Sequence, residues 1–403
     1  MGPSLNLYRQ ALKNFGIKKE NDFYFSILIM LFISMTSSLT QTFINLDLHQ
    51  FHFFNKEVLS LDIMMPFLGS FVALFVFQRL FHMVRFKIFM GFTLLGIGLG
   101  YFLLIFFVTS DFNFIIRFFL GLFYSFTFLG CYIFQMKVYH HHKRGALFSF
   151  TILMMALSSS FGFFLNGVIT DASYVFGVGL ICIGGCLWSL LKLDTTEEDS
   201  QGKKEFLSPH GSILKIASKY PRFFILILLI SFVGTAFPTY FPIYAEGLGF
   251  SEKEVSYLFS CVQLSLLFFI PLGGFLGDKW GYEKILLVLS FVALLAGVCT
   301  FGSKKIEILG ILFFIIRGSL ASFFGLMVAW IAREHFSQRV ATRMSVFSFT
   351  YRAGCILSPL GVGFIMQYYG NNGFIFFILG GIFLSICLLL KEVFPKENDL
   401  KKY

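Results

Sequence analysis

Twelve long apolar segments constrain the fold of this chain more than any other feature of its sequence. Each holds roughly 20 predominantly apolar residues, the length that a helix needs to cross the hydrocarbon core of a bilayer. The runs are continuous and do not alternate, which predicts helices and not barrel strands. They lie near residues 23–45, 57–78, 88–108, 112–136, 146–168, 173–191, 223–245, 256–277, 285–303, 306–331, 344–367 and 373–391.

Composition excludes the soluble alternatives for a chain of this length. Of the 403 residues, 57% are hydrophobic and only 13% are charged, whereas soluble domains average about 25% charged residues. The seven cysteines lie in apolar segments and form neither a disulfide framework nor a zinc motif. There is no phosphate-binding GxxxxGK[ST] loop and no nucleophile–base arrangement, so we expect no enzymatic activity, no cofactor and no metal.

The loop charges predict the orientation of the chain. Loops on one side, together with both termini, carry 25 of the 32 Lys and Arg residues, and loops on the other side carry four. Basic loops stay in the cytoplasm, so both termini are expected there, in the inner (plasma) membrane. This distribution explains the net charge of +10 without a nucleic-acid partner.

Two halves of the sequence resemble one another. The tetrapeptide Phe114–Arg117 recurs as Phe314–Arg317, and Phe148–Thr151 recurs as Phe347–Thr350, at offsets of 200 and 199 residues. Paired halves of this kind are typical of transporters, whose substrate site lies near mid-membrane. We therefore predict a six-helix bundle over residues 1–191, a cytoplasmic linker over 192–222 and a second bundle over 223–403.

Polar residues are distributed unevenly among the spans. Spans 3, 6, 9 and 12 contain almost none, whereas the other eight carry Ser, Thr, Asn, Gln or charged residues at helical spacing. Such faces turn toward a cavity or another helix. Every third helix is therefore expected to face lipid.

A loop motif after span 8 carries a family resemblance. Gly274–Gly281, with the sequence GFLGDKWG, resembles the GxLxDxxG motif of major facilitator superfamily transporters. Arg117–Gly121 is similar to the RxxxG element of their fourth span, and Ser358–Gly363 to their gate helices. The family's Arg-Lys pair is replaced by Tyr282–Glu283, and the loop after span 2 has Gln78 in place of the Asp. The resemblance implies a secondary transporter that works by rocker-switch alternating access.

The same resemblance implies a lock on the cytoplasmic side. A carboxylate near a helix N-terminus is favoured by about 0.3–1 kcal/mol. Family symmetry places Asp278 near the start of span 5, so the lock is expected to stabilise the outward-open state. Its members are Gly274, Asp278, Gly281, Arg144 and Glu334.

Charged residues inside the spans indicate the substrate. Asp62, Arg117, Arg317 and Arg352 lie within apolar segments, where a charge costs about 2.5–3.5 kcal/mol. Three arginines against one acid favour a small anionic or zwitterionic solute, because the guanidinium group matches carboxylate geometry. Candidates are a carboxylate metabolite, an amino acid or a carboxylate siderophore. The predicted substrate-binding residues are Gln41, Arg117, Tyr124, Gln263, Arg317 and Arg352.

Asp62 is the predicted proton-coupling residue, since it is the one acid well inside a span, away from its ends. The expected partners are a small-molecule substrate, protons and membrane lipid, and the expected state is a monomer. Two alternatives stay open. One is an antiporter that exports drugs or metabolites, and the other is a non-transporting membrane sensor or assembly factor.

Overall fold

The structure is a computed structural model that describes residues 20–51, 56–107, 110, 112–138, 144–169, 171–193, 221–303, 305–333 and 340–393. Nearly all of these residues are helical, and no strand occurs within these ranges. The helices are α1 (Glu20–Phe51), α2 (Lys56–Met83), α3 (Phe86–Phe107), α4 (Phe112–Val138), α5 (Arg144–Val168), α6 (Ala172–Lys192), α7 (Pro221–Glu246), α8 (Glu252–Gln263), α9 (Ser265–Trp280), α10 (Tyr282–Thr300), α11 (Ile306–Arg333), α12 (Val340–Tyr369) and α13 (Gly373–Val393).

The helices match the predicted spans. In the described part of the chain, 11 segments are long and apolar enough to cross a membrane. The last of these, Phe347–Lys391, contains both α12 and α13, which are separated by the short 3-10 turn Gly370–Asn372. The predicted span near 256–277 consists of α8 and α9 together. The all-α architecture with twelve transmembrane helices is therefore confirmed.

Packing divides the chain into two compact units. The first unit comprises Met1–Ile44 and Leu68–Lys203, and the second comprises Asn45–Phe67 and Lys204–Tyr403. The adjoining ends of α1 and α2 thus belong to the second unit.

A buried hydrogen bond accompanies this grouping. Within the second unit, the hydroxyl of Tyr240 on α7 bonds to Ser60 Oγ of α2 at 2.8 Å. The predicted first bundle, residues 1–191, includes residues 45–67, which group with the second unit here. The predicted domain boundaries stay a prediction. Of the predicted linker, residues 194–220 lie outside the described residues.

In the first unit, small residues bring α1 and α5 together. Ser158 Oγ donates to the carbonyl of Leu31 at 2.6 Å, and Ser34 Oγ donates to the carbonyl of Met155 at 2.9 Å. A Cβ atom on Gly162 would lie only 3.1 Å from the backbone nitrogen of Leu39. Close approach through small residues is how membrane helices associate, because lipid supplies no hydrophobic drive between them.

The second unit repeats this arrangement between α7 and α12. Ser358 Oγ donates to the carbonyl of Phe232 at 2.6 Å, and Ser358 follows Ser158 by 200 residues. A Cβ atom on Gly354 would lie 2.8 Å from the carbonyl oxygen of Leu228. The equivalent hydrogen bond therefore occurs within one or two residues of the offset that the sequence repeat predicts.

The third span illustrates the predicted lipid face. Large apolar side chains on α3 are exposed at spacings of three and four residues, so they form one continuous stripe. These side chains are Ile88, Phe92, Leu95, Leu99, Phe102 and Phe106. The opposite face of α3, which includes Leu94 and Ile97, is buried. Lipid takes the place of water along such a stripe.

The eighth span is interrupted near its middle. A capping box starts α8, since Ser251 N donates to Glu254 Oε2 at 2.9 Å and Ser251 Oγ accepts from Glu254 N. The helix ends at Gln263. The N–H of Leu264 then bonds to carbonyls three and four residues back, and Leu267 N bonds to the carbonyl of Leu264 at 3.1 Å. This tightened turn places Gln263 at a helix end inside the span.

Candidate functional site

Two predicted binding residues meet in the second unit. Arg317 lies on α11, and its Nε donates to Oε1 of Gln263 at the end of α8, at 2.9 Å. Gln263 is 6% exposed, and Arg317 is partly exposed. The guanidinium carbon of Arg317 lies 5.8 Å from the ring centroid of Phe237 on α7, within range of a cation–π interaction. Three helices thus orient this guanidinium group.

No acidic side chain in the described part of the chain forms an ion pair with Arg317. Among the described residues, Arg317 forms no ion pair and no hydrogen bond other than that to Gln263. Its Nη1 and Nη2 atoms are not fully buried. An arginine offers five N–H donors, and only the donor on Nε is hydrogen-bonded to a described residue. This arrangement can bind an anion.

The neighbouring residues on α12 add polar groups. The phenol of Tyr351 lies near the guanidinium groups of Arg317 and Arg352. One turn further along, Cys355 Sγ accepts a hydrogen bond from Thr235 Oγ1 of α7 at 3.0 Å. The predicted residues Gln263, Arg317 and Arg352 therefore belong to one region of the second unit, formed by α7, α8, α11 and α12.

The predicted binding residues of the first unit have a different environment. Arg117 on α4 is 4% exposed, and Gln41 on α1 is partly exposed. The hydroxyl of Tyr124 is hydrogen-bonded to that of Tyr101, which lies 3.0 Å from Thr40 Oγ1. Tyr124 is thus held by its own unit, in contrast to the accessible donors of Arg317. The roles of these residues in binding stay predictions.

Two acids are buried near the ends of the first two helices. Asp62 on α2 is 1% exposed, and its role in proton coupling stays a prediction. Asp22 on α1 is 2% exposed, although the sequence placed it just outside the first span. Among the described residues, no group of three or more His, Cys, Asp or Glu side chains is arranged to hold a metal ion.

Residues 274–280 of the loop motif form the last turns of α9, and Gly281 alone separates α9 from α10. Gly281 adopts φ +96°, a conformation that suits glycine. A Cβ atom on Gly277 would lie 2.6 Å from the ring of Tyr282, whose hydroxyl donates to Asp278 Oδ1. Tyr282, at the position of the family's arginine, is therefore the hydrogen-bond partner of the motif carboxylate. Gly274 faces open space.

The other predicted lock members cannot be placed. Arg144 is the first residue of α5, but its side chain lies outside the described residues, as does all of Glu334. The lock formed by Asp278 with these residues stays a prediction.

Sequence reasoning missed three residues of these clusters. Phe237 and Tyr351 lie next to Arg317, and Tyr101 holds Tyr124. Phe237 and Tyr101 sit among many other aromatic residues, so nothing in the sequence distinguished them. Tyr351 directly precedes Arg352, and this adjacency was the one available signal.

The fold defines a polytopic membrane protein with repeated helical units, and Arg317 lies inside one of its spans without an ion pair to any described residue. The sequence model of the Major Facilitator Superfamily matches residues 23–253 and again residues 224–402. The chain belongs to the major facilitator superfamily.

Sequence relatives match only part of the chain. It is 28% identical over 164 residues to the uncharacterized MFS-type transporter YfkF of Bacillus subtilis, covering 39% of this chain and 41% of that protein. It is 27% identical over 166 residues to the multi-drug resistance efflux pump PmrA of Streptococcus pneumoniae, covering 40% of each. The matched region therefore spans about two fifths of these curated relatives.

Solved structures share the fold over nearly the whole chain. A mutant of the nucleoside transporter NupG superposes with a TM-score of 0.75 at 14% identity, covering 92% of this chain and 99% of that one. A D-xylose–proton symporter superposes with a TM-score of 0.66 at 14% identity, covering 91% and 96%. At these identities the likeness concerns the fold alone.

Proposed function

We propose that this protein is a secondary active transporter that moves a small anionic or zwitterionic organic solute by alternating access. The solute is a carboxylate metabolite, an amino acid or a carboxylate siderophore. Membership of the major facilitator superfamily supports the transporter class, and the pair of repeated units supports alternating access. The protein acts without a cofactor and is not an enzyme.

One observation carries the preference for an anion. The guanidinium group of Arg317 lies within a span, contacts Gln263 and Phe237, and forms no ion pair with any described residue. A charge inside a membrane span without a counter-ion is costly, which indicates a function for it. A substrate carboxylate would supply the missing negative charge each time it binds.

Protons are the proposed driving ion. Asp62 is buried within α2, and a buried carboxyl group can change protonation at physiological pH. Solved structures of the same fold include a D-xylose–proton symporter, which supports this kind of coupling. We propose that the protein is a monomer in the plasma membrane. The loop charges favour an orientation with both termini in the cytoplasm.

The proposal is tested with purified protein in proteoliposomes. Uptake of radiolabelled carboxylates and amino acids is measured with an imposed pH gradient, and again after an ionophore collapses it. We expect saturable uptake of an anionic or zwitterionic solute that the gradient accelerates. Absence of protein-dependent flux for the whole panel would refute the proposal and favour a non-transporting sensor or assembly factor.

An efflux antiporter is the second candidate, favoured by the similarity to PmrA. Export of cationic drugs by this protein would need an acidic group at the site, and Arg317 has the opposite charge. Inside-out vesicles, given a cationic dye or an anionic dye in the surrounding medium, test both possibilities, because an exporter would accumulate its substrate in the lumen. Gradient-driven movement of the cationic dye alone would establish the efflux reading.

A further inference from the structure

We infer that Gln263 and Arg317 act together as a carboxylate clamp, in which the amide NH2 group of Gln263 and the two Nη groups of Arg317 bind the substrate. This inference rests on the proposed transport function. It narrows the substrate from an anionic or zwitterionic solute to a carboxylate without a neighbouring ammonium group. The clamp is the set of donors at Nη1, Nη2 and Nε2 of these two residues.

The orientation of the Gln263 amide follows from the hydrogen bond itself. A guanidinium group only donates, so the amide atom that faces Arg317 Nε must be the oxygen. The NH2 group of Gln263 therefore points away from Nε. Gln263 forms no other hydrogen bond with a described residue, and its Nε2 is not fully buried. The bond occupies one lone pair of Gln263 Oε1 and uses none of the Nε2 or Nη donors.

The guanidinium group is held in place before any substrate arrives. Nε is bonded to Gln263 at 2.9 Å, and the ring of Phe237 lies 5.8 Å from the guanidinium carbon. Phe237 is itself fixed, because it is fully buried and stacks on Phe241 at 5.2 Å. The remaining edge of Arg317 presents Nη1 and Nη2, a planar pair of donors that matches the two oxygens of a carboxylate.

A surface made only of donors selects its ligand by charge. It binds the two oxygens of a carboxylate, whereas an ammonium group would be repelled by the positive charge of Arg317. A neutral amide offers one acceptor oxygen and brings a competing NH2 group. Carboxylates should therefore bind more tightly than amides, amines or amino acids of the same carbon skeleton.

Matched compounds and matched variants test the clamp. The probes are monocarboxylates, each compared with the amide, the amine and the α-amino acid of equal carbon number. Ligand-induced thermal stabilisation of the purified wild-type protein is measured first. We expect stabilisation by at least one carboxylate and by none of its amide or amine counterparts. Stabilisation by amines or amino acids alone, or by no carboxylate at all, overturns the inference.

Two substitutions of Gln263 then separate its roles. Gln263→Glu places a carboxylate against Arg317, so it preserves packing but neutralises the clamp, and we expect carboxylate affinity to fall about 100-fold. Gln263→Leu removes the amide donors and leaves the arginine charge, and we expect a fall of about 10-fold. If Gln263→Glu is as well folded as wild type and binds the carboxylate equally well, the clamp does not exist.

Failure of the clamp and failure of the proposed transport function give different results. A wild-type protein that binds a carboxylate through Gln263 but moves no solute in proteoliposomes would refute transport and leave the clamp intact. A protein that transports a solute with the same affinity in Gln263→Glu as in wild type would refute the clamp and leave transport intact.

Discussion

Ser358 of α12 donates a hydrogen bond of 2.6 Å to the backbone carbonyl of Phe232 on α7. Ser158 of α5 does the same to Leu31 of α1, at the same distance. Each unit thus joins its first and fifth spans through a serine that packs into a neighbouring backbone. Such contacts allow close approach, and they make the crossing sensitive to added volume.

Gly354→Ala should destabilise the α7–α12 crossing. The new methyl group would lie 2.8 Å from the carbonyl oxygen of Leu228 and would also meet Ser231. Overpacking of this kind costs about 1–3 kcal/mol, so we expect a lower Tm in detergent. Gly234→Ala on α7 is the control, since nothing lies within 4 Å of its added Cβ. Equal Tm values for the two variants would contradict the packing described here.

Two glycines of the loop motif should respond differently to alanine. Gly281 has φ +96°, where a Cβ atom costs about 1–3 kcal/mol, whereas Gly274 faces open space. We expect Gly281→Ala to lower the Tm and Gly274→Ala to leave it unchanged. A loss of transport in Gly274→Ala at unchanged Tm would show that this glycine acts in another conformation of the cycle.

Asp278→Asn tests the predicted lock. The amide can still accept from the hydroxyl of Tyr282, so we expect the turn to fold normally. Loss of the negative charge should weaken closure on the cytoplasmic side and raise the reactivity of a cysteine introduced there. Tyr282→Phe is the companion variant, because it removes the local hydrogen bond and keeps the charge. Unchanged transport and unchanged accessibility in Asp278→Asn would exclude the lock.

Asp62→Asn should uncouple transport from the pH gradient. An amide cannot carry a proton, so the gradient should no longer accelerate uptake, while exchange of labelled for unlabelled solute should persist. Asp22→Asn is the matched control, since Asp22 is similarly buried, at 2% against 1% exposed. The comparison is made by uptake in proteoliposomes. Loss of gradient dependence in Asp22→Asn alone would transfer the coupling role to α1.

Hydropathy predicted the architecture because the bilayer imposes it. A long run of apolar residues must be helical in lipid, so the twelve spans could be recognised from the sequence alone. The repeat at about 200 residues was visible in two matching pairs of tetrapeptides. The break at Leu264 could not, because Leu264 lies within an apolar run and carries no sequence signal for a break. It depends on how α8 and α9 pack against their neighbours.

The candidate site was predicted only in part, because polar residues are conspicuous in an apolar span but their contacts are not. Charge inside an apolar segment identified Arg317, and polarity identified Gln263. Their pairing depends on the rotation of α11 relative to α8, which periodicity alone does not determine. Phe237 and Tyr351 were missed because aromatic residues are abundant here, with 59 Phe in the chain.

Exchange of a radiolabelled carboxylate across proteoliposomes, compared between wild type and Arg317→Gln, tests the central claim most directly. Arg222→Gln is the control, because Arg222 is an exposed arginine at the start of α7. We predict saturable exchange in wild type and Arg222→Gln, and a loss of about 100-fold or more in Arg317→Gln, as expected when a paired charge is removed. Undiminished exchange in a folded Arg317→Gln protein would contradict the account.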